Sequence, residues 1–551
     1  MKKLGLFLVV LGLSLGTNQK NSISCSICHD MFNVAQSVAD NKDTWVIPIE
    51  MAIAGCTAAS SLGYEVCKGA VNEMAYIALD SLSDHYLDPE YMCYTLDMCT
   101  SPSYYNANFT NWLTKVFQDK PSSTQQPVSS GETFLFGQMT DMHIDMFYQE
   151  GSNADCGIPE CCREWLGKGN AGYWGDYNCD IPIRTFELGV KQMSELNLDF
   201  VMWTGDVPPH DVWNQSQTYN LQYQKIASDV FKKHFPETPV YTVFGNHACY
   251  PVNVYDPDNA GWLLDPISEM WGYWLPESAK ETIRAMGTYS IQHKNTNLRI
   301  LAINTQVCNN LNFYLFKNVT DPNGQLEWIW NELAGAEARG EQVYILGHIP
   351  MGDSDCLNQW AERFNALVDR YSHIILAQYY GHTHKDHFFI NRGVHDNKPK
   401  SIQWVSPSVT TYTNKNPSFR VFEADTSSFV LKNIHQYRLN IPQANKQTSP
   451  KYELAYSFLE YYNLQNLAPE TIANWVEEMK HSEEKIMKWY QNYQTGGPDT
   501  PKGCNEACRN QTTCMLGNGL ASAVAECKGA KASLLNTFLE ALFGKWTYKR
   551  N

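Results

Sequence analysis

The chain lacks a surplus of positive charge. Lys and Arg number 42 against 58 Asp and Glu, which gives a net charge of −16 over 551 residues. A basic nucleic-acid footprint is therefore absent, and a nucleic-acid polymer is not an expected partner. Beyond its first residues the chain also lacks apolar runs of the ~20 positions a membrane helix needs. It shows no internal repeat. Charged residues are only 18% and apolar residues 43%, so real cores can form and bulk disorder is excluded. At roughly 150 residues per domain the chain has room for three or four.

The one long apolar stretch opens the chain, as "MKKLGLFLVVLGLSLG". Two lysines precede Leu4 to Leu13, and Ser14 and Gly16 supply small residues for cleavage. Residues 1–16 read as a signal peptide, too short to span a bilayer. Cysteine, by contrast, is plentiful at 17 residues, which fits an exported protein, secreted or lysosomal. Four N-x-[ST] sequons, at Asn108, Asn214, Asn318 and Asn510, agree with that route. The odd cysteine count leaves one thiol over.

Residues 21–117 read as a helical domain. "MAIAGCTAASSLGYEVC" and "VNEMAYIALDSLSD" carry apolar residues at helical spacing. Its six cysteines, Cys25, Cys28, Cys56, Cys67, Cys93 and Cys99, allow fifteen pairings. Alone, Cys25-x-x-Cys28 also suits zinc or redox exchange. Residues 118–132, "QDKPSSTQQPVSSGE", read as a linker rich in Pro, Ser and Gln. Residues 133–447 change texture, with short β-rich runs alternating with polar helical stretches. That pattern predicts a layered α/β domain. Residues 448–551 read as helical again, with a Tyr and Trp stripe suited to packing and four more cysteines.

Five apolar runs of the α/β domain end in the same kinds of residue. "TFLFGQ" leads to Asp141-Met-His143 and "LDFVMWT" to Gly205-Asp206. "PVYTVFG" leads to Asn246-His247, "EQVYILG" to His348, and "HIILAQYY" to Gly381-His382-Thr-His384. Sites in open α/β sheets form beyond the carboxyl ends of strands, so five strands can deliver these residues to one crevice. Two divalent cations held together can polarise a phosphoryl oxygen and acidify a bridging water. A carboxylate suits the bridge, and imidazoles with an amide complete the shell without excess negative charge.

This ordered set, D-x-H, GD, GNH, GH and GHxH, resembles the calcineurin-like metallophosphoesterase superfamily. The resemblance implies Asp141, His143, Asp206 and His384 around one metal. It implies Asp206, Asn246, His348 and His382 around a second, with Asp206 shared. Two zinc ions are expected from this donor mixture, and manganese or iron would fit the same types. His387 has no ligand role in the pattern. The N-terminal cysteine spacing resembles the saposin family, which implies Cys25–Cys99, Cys28–Cys93 and Cys56–Cys67.

The flanking sequences "GDVPPHDVW", "GNHACYPVN", "GHIPMGDSDC", "SPSVTTYTNKNPSFRVF" and "DCGIPECCREW" resemble the acid sphingomyelinase family. They imply Cys156–Cys161, Cys162–Cys179, Cys308–Cys356, Cys504–Cys508 and Cys514–Cys527, with Cys249 left over. The family often carries an acidic residue after GNH, where this chain has Ala248. Cys249 then places a thiol beside the site, as ligand, oxidation switch or buried filler, of which the buried filler is favoured.

A phosphodiesterase must protonate its departing alkoxide, and histidine suits that work. By resemblance His247 is the first choice and His210 the second, while Asn253 and Tyr412 match positions near the substrate phosphate. The expected enzyme hydrolyses sphingomyelin to ceramide and phosphocholine at acidic pH. It acts as a monomer that meets a sphingomyelin-containing membrane peripherally, without a span. The competing expectations are a secreted nucleotide phosphodiesterase and a non-enzymatic saposin-type lipid-binding protein.

Overall fold

The computed structural model describes residues 22–60, 62–83, 88–95, 99–120 and 128–529. The expected signal peptide lies outside them, as does the middle of the expected linker.

The N-terminal module is all helical. Its helices are α1 (Ser22–Ala39), α2 (Val46–Ala59), α3 (Tyr64–Ser83), α4 (Pro89–Thr95) and α5 (Ser103–Phe117). Three disulfides staple them: Cys25–Cys99, Cys28–Cys93 and Cys56–Cys67. So small a core gains much from such cross-links. One apolar face of α3 is spent inside the molecule. Val66, Cys67, Ala70 and Met74 pack with Val212, Val252 and Val254 of the following domain. Gly69 makes that approach possible, because a Cβ there would meet the Trp213 carbonyl at 2.5 Å. On α5, Tyr105, Phe109 and Trp112 line up along Arg363, whose guanidinium donates to the Tyr105 hydroxyl at 2.8 Å.

The α/β domain holds two six-stranded sheets. The first contains β1 (Thr133–Met139), β2 (Val201–Thr204), β3 (Val240–Val243), β10 (Ser418–Asp425), β11 (Leu431–Arg438) and β12 (Glu453–Ser457). The second contains β4 (Tyr289–Gln292), β5 (Leu298–Ala302), β6 (Gln342–Leu346), β7 (Ile375–Tyr380), β8 (His387–Arg392) and β9 (Pro399–Val405). Their orders are β12-β11-β10-β1-β2-β3 and β4-β5-β6-β7-β9-β8. Strands β1, β2 and β3 run parallel, as do β5, β6, β7 and β9. Parallel strands covered on both faces need continuous apolar runs, and β2 and β3 are buried throughout.

Aromatic rings join the sheets. Phe136 of β1 lies 5.6 Å from Tyr344 of β6, and Tyr379 of β7 lies 4.9 Å from Phe422 of β10. Gln138 adds a polar tie, donating to the Thr204 hydroxyl and to the Tyr380 carbonyl across the sandwich. The carboxyl ends of β1, β2 and β3 therefore come up beside those of β6 and β7.

Residues 530–551 of the expected helical C-terminal region lie outside the described residues, and among the described ones that region departs from its helical reading at a short strand. Glu453–Ser457 forms edge strand β12, antiparallel to β11. A bulge between Leu454 and Tyr456 interrupts the alternation, leaving Leu454 exposed and Tyr456 buried, so the period of 2 that marks a strand is missing from this short edge. Helices Pro469–Lys480, Glu483–Tyr493, Glu506–Leu516 and Ala521–Lys528 follow. Trp475 packs on Phe458 and Tyr462, so the aromatic stripe serves the core. Cys504–Cys508 and Cys514–Cys527 are bonded there. Both ends of the expected linker are anchored. Lys120 pairs with Asp369 at 2.8 Å, and Ser129 to Gly131 hydrogen-bond the Asp425 carboxylate.

Candidate metal centre

The five strand ends meet. Asp141 and His143 follow β1, Asp206 follows β2, Asn246 follows β3, His348 follows β6, and His382 and His384 follow β7. Five of these seven residues hold a positive φ: Asp141, His143, Asp206, His382 and His384. Such backbone costs of order 1–3 kcal/mol per residue and persists only where the surroundings over-determine it, most often at functional sites. The motif glycines serve close approach. A Cβ at Gly245 would collide with the Asp206 carboxylate, and one at Gly381 with the Thr140 hydroxyl.

His143, His348 and His382 each have one nitrogen committed elsewhere and one turned inward, and His384 turns Nε2 inward. His143 donates from Nδ1 to the Pro208 carbonyl at 2.8 Å. Its Nε2 lies 3.1 Å from His384 Nε2 and 3.6 Å from Asp206 Oδ2. Asp141 Oδ1 stands 3.5 Å from the same His384 nitrogen. On the other side His348 donates from Nδ1 to the Thr204 carbonyl at 2.7 Å. Its Nε2 lies 3.1 Å from Asp206 Oδ2 and 2.9 Å from Asn246 Oδ1. His382 engages Asp355 through Nε2 at 2.9 Å and offers Nδ1 to Asn246 Oδ1, also at 2.9 Å.

Inward lone pairs of imidazole, carboxylate and amide at these separations are what a divalent cation takes. The second hydrogen bond on His143, His348 and His382 is the usual device for fixing a metal-binding tautomer. The electrostatics ready only part of the set. Burial, together with the neighbouring His210, His247 and His384, holds His143 well below the usual imidazole range. A metal needs that neutral form. Burial opposes protonation of His382, but the Asp355 carboxylate outweighs it and lifts the ring to about 9. His348 is raised too, since Asp206 overcomes its burial. Asp206 is held well below the carboxylate range despite burial, chiefly by His348 and His247. The donor set thus fits divalent metals, in two clusters, Asp141–His143–His384 and Asp206–His348–His382, with Asp206 Oδ2 reaching to 3.6 Å of His143 in the first.

The other expected residues fall around this set. His210 and His247 line a cavity of about 420 Å³ above it, as does Tyr412. His210 takes the Asp180 carboxylate on Nδ1 at 2.9 Å, and its ring stacks on Tyr412 with centroids 4.2 Å apart. His247 donates its peptide N–H to Asp206 at 2.9 Å, while its Nδ1 is buried with no hydrogen-bond partner. Burial pushes the His247 imidazole down to about 3. Asn253 does not line the cavity. Its side-chain oxygen accepts from the Asn246 amide at 2.9 Å, so it holds a donor in place.

Cys249 is buried and unpaired, and burial pushes its thiol up. His387 is no surface group. It lies under the ligand loop with Nε2 2.8 Å from the Thr383 hydroxyl. Cys156–Cys161, Cys162–Cys179 and Cys308–Cys356 are bonded around the site. Of the sequons, Asn108, Asn214 and Asn318 are exposed, and Asn510 is half-buried on its helix.

Asp355 and Asp180 escaped the sequence reading. Both reach the site from loops far along the chain, and an isolated Asp in a Gly-rich or Cys-rich loop carries no motif. The one available signal was "DSDC", two carboxylates directly after the fourth strand end.

Two family profiles cover most of this machinery. Calcineurin-like phosphoesterase matches residues 134–386, and the acid sphingomyelin phosphodiesterase C-terminal region matches residues 398–532. Sphingomyelin phosphodiesterase A of Dictyostelium discoideum is 31% identical over 535 residues, covering 92% of this chain and 91% of the relative. Sphingomyelin phosphodiesterase B of the same organism is 32% identical over 515 residues, covering 90% and 80%. The Homo sapiens sphingomyelin phosphodiesterase is 36% identical over 409 residues, covering 71% and 64%. With its donor set on calcineurin-like strand ends and its similarity running nearly end to end, the chain belongs to the sphingomyelin phosphodiesterase family of metal-dependent phosphoric diester hydrolases.

Proposed function

We propose that this chain hydrolyses sphingomyelin to ceramide and phosphocholine at acidic pH, with two zinc ions. Asp141, His143, Asp206 and His384 would hold one ion, and Asp206, Asn246, His348 and His382 the other. When bound, such a pair supplies a polarised phosphoryl oxygen and an acidified water. The observation that carries the reading is the Asp206 carboxylate lying between the two donor clusters, 3.6 Å from His143 and 3.1 Å from His348, beside an open cavity.

His210 is the better proton donor to the ceramide oxygen, which reverses the order expected from sequence. Its Nδ1 is braced by Asp180 and its face by Tyr412, so Nε2 is left to carry the proton. His247 is kept neutral by burial, and a neutral ring donates to a phosphoryl oxygen rather than giving up a proton. Asn253 acts through Asn246, and Tyr412 orients His210 at the cavity wall.

The leader-like first residues, the sequons and eight disulfides support a secreted or lysosomal protein. Among the described residues no helix is long and apolar enough to cross a membrane. The membrane contact proposed is a peripheral one, made by the helical module. A second reading, a nucleotide phosphodiesterase, draws support from Lys385 and Lys415, which line the cavity and suit a further anionic group.

Turnover on sphingomyelin liposomes against nucleotide phosphodiesters decides between them. Cleavage of nucleotides without sphingomyelin would install the second reading. His210→Gln should lose roughly 10²–10⁴-fold on sphingomyelin. It should lose far less on a nitrophenyl phosphodiester, whose leaving group needs no proton.

A further inference from the structure

Behind His210 lies a buried carboxyl group that the reaction does not use directly. Glu160 is 1% exposed and sits between two disulfides, Cys156–Cys161 and Cys162–Cys179. The second of these immediately precedes Asp180. Glu160 Oε1 accepts the Asp180 peptide N–H at 3.3 Å. Its other oxygen, Oε2, is fully buried and no donor reaches it. The Glu160 and Asp180 carboxyl groups are themselves within hydrogen-bonding reach.

An ionised oxygen buried without a donor is costly, and two adjacent buried carboxylates are costlier still. The nearby charges cannot relieve this. Arg163 spends its guanidinium on Asp145, at 2.8 and 3.2 Å, and on Asp211 at 2.9 Å. His210 pairs with Asp180 on the far side. Asp145 faces Glu160 with a further carboxyl group, and Tyr148 and Tyr412, which also face it, are neutral. One proton must therefore stay on the pair. Burial and the Asp180 charge push Glu160 well above the carboxylate range. Despite its own burial, Asp180 is held well below it by His210. The proton belongs to Glu160.

We propose that Glu160 is a positioning residue whose protonated carboxyl donates a hydrogen bond to the Asp180 carboxylate and so fixes the Asp180–His210 pair. The chain Glu160–Asp180–His210 then runs from the disulfide knot to the cavity. Thr410 completes the Asp180 shell, donating its hydroxyl to Oδ1 at 2.8 Å. The inference rests on His210 as the proton donor.

The test uses the full, metal-loaded chain. Glu160→Leu should lower kcat on sphingomyelin roughly tenfold with KM little changed, as the loss of an orienting partner does. Without its donor, Asp180 takes a proton at higher pH, so the acid limb of the pH profile should move toward neutrality. Glu160→Gln keeps an N–H donor and should restore both kcat and the limb. Infrared difference spectra should show a protonated carboxyl at neutral pH that Glu160→Gln lacks, a readout independent of turnover and of whether Glu160→Leu folds. Wild-type kcat and profile in Glu160→Leu, equal defects in Leu and Gln variants, or no such band would each overturn the inference. Wild-type turnover in His210→Gln, with the band present, would sink the donor reading alone.

Discussion

Asn253 holds the Asn246 side chain by a 2.9 Å hydrogen bond from the amide Nδ2 to its own Oδ1. The same oxygen accepts from Asn309 at 3.1 Å. Asn246 Oδ1 is thereby turned toward His348 and His382, 2.9 Å from each ring. Asn253→Leu removes that acceptor and should weaken metal binding roughly 10- to 100-fold. Asn253→Asp keeps an acceptor and should weaken it less. Competition with a chelator, followed by metal analysis by mass, measures both.

Asp206 lies between both clusters, so in the proposed two-metal site its charge would serve both cations. Asp206→Asn should abolish turnover and lower the affinity for both ions. The wild-type chain should carry about two ions, as a two-metal site does. Full activity in demetallated protein would refute metal dependence outright.

Much of this centre was legible because its chemistry is written in short units. Gly205-Asp206, Gly245-Asn246-His247 and Gly381-His382 each join a strand end, a close-approach glycine and a donor within a few residues. The supports were not legible, because they are long-range or made by the backbone. His143 and His348 are oriented by the Pro208 and Thr204 carbonyls, which every residue possesses. Asp180 and Asp355 come from loops whose path only the fold reveals. The sheet edge at Glu453–Ser457 failed for a different reason, since five residues cannot separate a period of 2 from one of 3.6.

Metal binding should release protons. In the metal-free protein His382 titrates near 9 and His348 is also raised. Their proton-bound forms add stability that is complete below the ordinary 6.5 and is lost as pH rises, for His382 through about 9. A cation must displace those protons, so its apparent affinity should fall as the medium is acidified. Titrating zinc into demetallated protein near neutrality, in buffers of different ionisation enthalpy, should show net proton release. His382→Ala should reduce it. Release unchanged by that substitution would remove His382 from the proton count.

Docking of the helical module should be tightest in acid. Glu73 of α3 is pressed against the α/β domain, where burial pushes its carboxyl up to about 8, with Asp211 adding to the rise. Docking stability from Glu73 is complete below its ordinary 4.5 and is lost as pH climbs through about 8. Small-angle scattering should show the wild type expanding between pH 5 and 9, while Glu73→Gln stays compact. Because Val252 and Val254 flank Asn253 and pack on α3, undocking should also depress turnover of a small soluble phosphodiester. A scattering profile equally insensitive to pH in both proteins would show that Glu73 does not govern docking.

The proposed membrane contact falls to α2, since the apolar face of α3 is already docked on the α/β domain. Val46 and Ile47 are 61% and 44% exposed at its start, while Trp45, Ile49 and Ile53 are buried behind them. Two adjacent apolar side chains at the end of a predominantly apolar helix are suited to a bilayer interface. Each contributes up to ~1.5–3 kcal/mol if fully withdrawn from water. Val46→Glu with Ile47→Glu should therefore weaken binding to sphingomyelin liposomes roughly 10- to 100-fold and lower hydrolysis there in proportion. Hydrolysis of a nitrophenyl phosphodiester should hold at the wild-type rate, since neither residue belongs to the docking face that supports Asn253. Cosedimentation with liposomes separates binding from chemistry. Equal losses on both substrates would mean that the substitutions unfold the module, and unchanged liposome binding would move the lipid contact elsewhere on the chain.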